Sequence, residues 1–269
     1  MLNAVRWNLS RKRSRFTEAD AIVLSLGKSG RTWLRVMLHR YLALAFDVPF
    51  DPIRIDGAGH PHVPRIAYSH ELASHVRDDR LKHRLVGKSI LPRSVARDRR
   101  IVLLRRDPRD VIVSSFHHKT ERSKRASCSL AEFVRHPRWG IEGLVDILND
   151  WRARFGEHPA LVETSYEGLH ADPTAELVHL LDGLSIPVHR DALDAAVDFA
   201  RFDRMQAAER AGTYSDPRMR PGDPARPDSF KVRRGRVGGH RDELDDDSIA
   251  YCDAALARLH PAYGYTAAP

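Results

Sequence analysis

Ala21-Ile-Val-Leu-Ser-Leu-Gly27-Lys28-Ser29-Gly30-Arg31-Thr32-Trp33-Leu34 carries the strongest pattern in the chain. A short apolar run, suited to a buried strand, ends in a Gly-Lys-Ser-Gly turn. Apolar residues at helical spacing follow it: Leu34, Met37, Leu38, Tyr41, Leu42 and Ala45. Such a junction aims backbone N–H groups, a helix N-terminus and the Lys28 ammonium at one spot, as phosphate binding requires. It departs from the nucleoside-triphosphate loop, in which a Gly stands five residues before the Gly-Lys pair; Ile22 holds that position here. The turn is short for wrapping a triphosphate, and another anion suits it better.

Working outward, short apolar runs at 65–69, 101–104 and 160–164 alternate with helical patterns. The helices are expected at 31–46, 107–118, 130–155 (interrupted near His136-Pro137), 172–184, 189–201 and 245–259. That alternation predicts a single α/β domain, a central parallel sheet flanked by helices. Residues 1–20 read as a basic N-terminal arm without the apolar stretch of a secretory signal, and 21–269 as the domain. Segment 206–230 holds Gly, Pro and Arg with few bulky apolar residues, and reads as a mobile loop over the site.

The net charge of +8 favours a polyanionic partner. Cys128 and Cys252 are the sole cysteines, which excludes a disulfide framework and a Cys-based zinc site and fits a cytoplasmic setting. No run is long enough for a transmembrane helix, leaving at most a weak contact of the basic arm with a membrane surface. No metal-ligand cluster is visible.

A second anion site follows the 101–104 strand, in Arg105-Arg106-Asp107-Pro108-Arg109-Asp110-Val111-Ile112-Val113-Ser114. Asp107 reads as the N-cap, Pro108 as the first helical residue, and Asp110 as the partner of a capping box. Arg106 at the strand end and Ser114 two turns into the helix then face one volume beside the carboxyl edge of the sheet. A third basic element, Phe230-Lys231-Val232-Arg233-Arg234-Gly235-Arg236-Val237-Gly238-Gly239, interleaves glycine with arginine.

With these three elements in this order, the chain resembles the cytosolic-type sulfotransferases that use 3′-phosphoadenosine 5′-phosphosulfate (PAPS). Gly27 to Trp33 is similar to that family's 5′-phosphosulfate loop, Pro-Lys-Ser-Gly-Thr-Thr-Trp, with Gly27 for the Pro and Arg31 for the first Thr. The resemblance implies that Lys28 binds the phosphosulfate and assists the leaving group. Ser29, Gly30, Arg31 and Thr32 would supply loop contacts, and Trp33 would pack on adenine. Arg106 and Ser114 correspond to the 3′-phosphate ligands, Tyr166 and Phe202 to adenosine-site aromatics, and Arg233-Arg234-Gly235 to the closing loop. The family's Gly-Asp-Trp reads Gly238-Gly239-His240 here, a departure in that loop.

Sulfuryl transfer of this kind relies on positioning and electrostatics. His70 is the expected general base, in Tyr68-Ser69-His70, which resembles the family's Lys-Thr-His. Tyr68 stands where that family has a second lysine, so more falls on Lys28 or on another donor. Glu71 and His75 are the fallback bases. The implied acceptor is a small molecule, glycan or lipid; Arg210, Arg218, Arg220 and Arg226 favour a polar or anionic one. The alternatives are a P-loop kinase, which needs the missing Gly and a strand-end carboxylate for Mg²⁺, and a nucleic-acid binder, which needs one continuous basic face.

Overall fold

The computed structural model describes residues 14–53, 60–70, 91, 93–214, 216 and 219–266. Residues 1–13 of the basic arm, the fallback bases Glu71 and His75, and Arg218 lie outside them. Four strands make one parallel sheet: β1 (Ala21–Ser25), β2 (Ile66–Ser69), β3 (Arg100–Arg105) and β4 (Leu161–Ser165). Their order is β2-β1-β3-β4. All of β1 is buried, as its unbroken apolar run demands of an interior parallel strand. Val23 pairs with Tyr68 on one side and Val102 on the other. The chain runs outward from β1 to β2, then returns to place β3 on the opposite flank. The crevice beyond the carboxyl ends of β1 and β3 is therefore the switch point at which open α/β sheets bind ligands.

Besides two four-residue helices, Ser14–Thr17 and Arg93–Ala96, the described residues form α1 (Arg31–Ala45), α2 (Pro108–His117), α3 (Leu130–Val134), α4 (Ile141–Phe155), α5 (Tyr166–Ala171), α6 (Pro173–Gly183), α7 (Arg190–Phe199), α8 (Phe202–Arg210) and α9 (Asp246–Leu256). Strand periodicity sorts them into two layers. Ile22, Leu24, Ile101 and Leu103 pack with Val111 and Ile112 of α2, Leu148 and Trp151 of α4, and Cys252 of α9. Val23, Val102, Leu104 and Val162 face the other way, onto Leu38 of α1, Leu181 of α6 and Leu193 of α7.

Helix starts follow the local chemistry. Asp107 caps α2 by accepting the Arg109 N–H at 2.8 Å, with Pro108 at the first helical position. The expected capping box at Asp110 does not form, because that carboxylate is taken by a loop more than a hundred residues later. The 206–230 loop also starts later than expected, since α8 continues to Arg210. Met205 and Glu209, one turn apart, are both buried, and the Glu209 carboxylate accepts the Lys231 N–H at 2.7 Å and the Val232 N–H at 2.9 Å. That tertiary fastening overrides the loop-like composition. Among the described residues no helix is long and apolar enough to cross a membrane.

Candidate active site

The β1–α1 turn alternates in handedness. Lys28 and Gly30 have φ of 74° and 84°, and Ser29 between them keeps the ordinary sign. Such alternation gathers successive N–H groups into an anion-binding concavity. A left-handed backbone is natural for Gly30 but strained for Lys28, by about 1 kcal/mol. Gly30 is also required by space, because a Cβ there would lie 2.6 Å from the Tyr166 ring. Lys28 is half-buried, its ammonium sunk among packed atoms at the cavity wall. That burial, reinforced by the fields of Arg122 and Arg106 against the opposing pull of Glu209, lowers its ammonium to about 8. Ser29 is wholly buried, and its hydroxyl has no hydrogen-bond partner among the described residues.

The second junction meets the first directly. Arg106, at the exit of β3, donates from Nη1 to the Lys28 carbonyl at 3.1 Å and from Nη2 to the Arg236 carbonyl at 3.0 Å. Its guanidinium lies 3.9 Å from the centroid of the Tyr166 ring. One arginine thus touches the Lys28 turn, the α5 aromatic and the third basic element. Asp110 completes the joint by accepting the Gly238 N–H at 2.9 Å, the His240 N–H at 3.0 Å and the His240 Nδ1–H at 2.9 Å. His240 is buried by this clasp, which accounts for the departure at Gly238-Gly239-His240.

His70 follows β2. Its Nδ1–H donates to the Ser25 carbonyl at 2.7 Å, so Nε2 carries the lone pair. Burial and the Arg31 field push the imidazole down to about 3, leaving it neutral and able to accept a proton. Tyr68, two residues earlier, turns into the α1-side core with Arg35 stacked 3.9 Å over its ring.

The three aromatics Trp33, Tyr166 and Phe202 stand at the starts of α1, α5 and α8. Trp33 donates from Nε1 to the Ala200 carbonyl at 2.8 Å and meets the Tyr166 ring edge-on, with centroids 5.7 Å apart. Phe202 lies against Gly235, where φ is 61° and a Cβ would approach the ring to 2.2 Å. Glycine here admits the Phe202 ring. Arg233 and Arg234 both donate to Glu243 at 2.9 Å. Burial acts to raise the Glu243 carboxyl, but hydrogen bonds from His117 and Arg233 outweigh it and hold it near 2.

These elements enclose one cavity of about 720 Å³, lined by every expected donor-binding residue except Ser29 and by His70, whereas Arg210, Arg220 and Arg226, expected over the acceptor, do not line it. His118, Lys119, Arg122, Lys231, His170 and Glu243 also reach it. His118 to Arg122 form a single π-helical turn extending α2, a feature common at functional sites that carries no legible spacing in sequence. Burial and the Lys28 field lower His118 to about 4. Lys231 was legible only as part of a basic run. No cluster of three or more His, Cys, Asp or Glu side chains able to hold a metal occurs among the described residues.

The fold is shared with solved structures that hold PAP. Mouse sulfotransferase SULT7A1 complexed with PAP superposes with a TM-score of 0.63 at 17% identity, covering 92% of this chain and 86% of that one. Retinol dehydratase in a complex with retinol and PAP gives 0.62 at 16% identity, covering 95% and 83%. Its complex with androsterone and PAP gives 0.51 at 17% identity over the same shares. No curated protein matches the sequence. Residues 18–261 match the sulfotransferase domain, and the chain belongs to that family.

Proposed function

We propose that the chain transfers a sulfuryl group from PAPS to a hydroxyl or amine of its acceptor by in-line displacement. The observation that carries this reading is the contact between the two strand-to-helix junctions, made by Arg106 and the Lys28 carbonyl on the wall of one cavity. The nest at Lys28 and Gly30 and the buried, unpartnered Ser29 hydroxyl fit an anionic group. PAP is the molecule named in the complexes of both structural neighbours. The donor supplies an activated phosphate–sulfate anhydride.

In this reading Lys28 steadies the charge that develops on the departing phosphate, and Ser29 to Thr32 hold its oxygens. Arg106 and Ser114 receive the 3′-phosphate together with Arg233, Arg234 and Gly235. Trp33, Tyr166 and Phe202 flank the base. His70 takes the acceptor proton on Nε2, its tautomer set by the Ser25 carbonyl. Its low pKa comes first from burial and then from the fields of Arg31, Arg35 and Lys231, and an anion bound beside those cations offsets their share and raises it.

The acceptor end bears Arg31, Lys119, Arg122 and Lys231, which suits a polar or anionic molecule. Labelled sulfate transfer onto phenols, sugars and glycolipids tests the whole reading. Transfer dependent on PAPS and strongest on charged or polyhydroxyl acceptors is the expected outcome. Exclusive use of apolar alcohols, like the retinol and androsterone held by retinol dehydratase, would reject the acceptor class. Stabilisation by ATP–Mg²⁺ in preference to PAP would reject the donor.

A further inference from the structure

In-line sulfuryl transfer places charge in two places: on the bridging oxygen that leaves, and on the sulfuryl oxygens between donor and acceptor. Lys28 serves the first. Strand β2 has no cation to offer the second, because Tyr68 faces the α1-side core beneath Arg35.

The closing segment brings one instead. Glu209 grips its backbone by accepting the Lys231 and Val232 N–H groups, and the Gln206 amide donates to the Val232 carbonyl at 3.0 Å. Lys231 lines the cavity wall. Its charge is felt at both reacting ends: it perturbs His70 and is itself perturbed by Lys28. Burial, then Arg122 and Lys28, lower its ammonium to about 7, a mark of a crowded cationic pocket that an incoming anion relieves.

We infer that Lys231 is a second catalytic cation, contacting the oxygens of the sulfuryl group while it passes from donor to acceptor. The inference rests on the PAPS reading. As the acceptor oxygen bonds sulfur, its proton goes to His70 Nε2. The S–O bond to the nucleotide breaks, and its electron pair stays on the 5′-phosphate beside Lys28. Lys231 transfers no proton; its ammonium donates to the moving group throughout. A preorganised donor of this kind is worth about 100-fold in rate.

The test uses K231M, which keeps the apolar stem, and K231R, which keeps the charge. Turnover is measured with PAPS and the best acceptor of the panel, or with water as acceptor. Binding is measured by titrating inorganic sulfate into PAP-saturated protein. K231M is expected to lose about 100-fold in turnover and at least tenfold in sulfate affinity. Its affinity for PAP alone should change by less than about fivefold, and K231R should recover part of both losses. Turnover or sulfate binding within about twofold of wild type in a folded K231M would overturn the inference. So would a wild-type PAP complex that takes up no sulfate. Failure of the wild-type protein to bind PAP at all is a different result, and rejects the donor reading instead.

Discussion

At the residue scale, Lys28 and His70 divide the chemistry, and substitution separates them. Lys28→Ala is expected to weaken PAP binding and turnover together, because the ammonium meets the same phosphate before and after transfer. His70→Ala should reduce turnover by about 10²- to 10⁴-fold while PAP affinity stays within a few fold, since a base acts on the acceptor. Steady-state kinetics beside calorimetric titration checks the pair; normal turnover in His70→Ala would remove it as the base. The lysines also predict a proton signal. Free Lys28 and Lys231 titrate near 8 and 7, so at pH 8 a substantial share of both is neutral. The 5′-phosphate of PAP raises the Lys28 value, and a sulfuryl group or sulfate beside it raises that of Lys231, so PAP binding must take up protons through Lys28 and its affinity must fall as pH rises through this range. Titration calorimetry at pH 8 in buffers of different ionisation enthalpy should register uptake on PAP binding.

At the element scale, the closing segment is held by carboxylates on two separate helices, Asp110 on α2 and Glu209 on α8. Asp110→Ala strips three donors of a buried partner and should lower stability by about 2–3 kcal/mol and weaken PAP binding, read from denaturant melts and titration. Unchanged PAP affinity in that variant would disconnect the clasp from the site. Neither carboxylate's role was legible in sequence. Asp110 sits three residues after an N-cap, where a local capping box is the natural expectation, and a contact with His240 has no periodicity to betray it. Glu209 lies in a stretch whose neighbouring Gly, Pro and Arg residues read as loop. What could be read were features written locally: the apolar run into Gly27-Lys28-Ser29-Gly30, the Asp107-Pro108 helix start, and Arg106 at a strand end. Lys231 and the π-helical turn at His118–Arg122 depend on how distant segments pack.

At the scale of the whole molecule, the β2-β1-β3-β4 order sets both anion turns on one carboxyl edge, and the cations collected there shape the pH response. His39, His70 and His118 are held neutral at about 4, 3 and 4, in each case chiefly by burial. An unfolded histidine binds its proton near 6.5. Below that pH the unfolded chain therefore carries more histidine protons than the folded one, so the histidines' contribution to stability is full above about 6.5 and is lost as pH falls toward about 4. Urea midpoints should fall on acidification from pH 7 to 5 and keep rising between 7 and 8, because Lys28 and Lys231, lowered to about 8 and 7, shed protons in the fold that the unfolded chain retains; a flat midpoint down to pH 5 would show these imidazoles protonated in the fold.

The most direct measurement compares calorimetric affinities for PAP, adenosine 5′-monophosphate and adenosine 3′-monophosphate, in the wild type and in Lys28→Ala and Ser114→Ala. If the two junctions hold opposite ends of one nucleotide, removing either phosphate weakens wild-type binding by at least about 100-fold. Lys28→Ala should then erase most of the penalty for losing the 5′-phosphate, and Ser114→Ala should shrink that for the 3′-phosphate. Equal wild-type affinity for all three ligands would contradict the shared site.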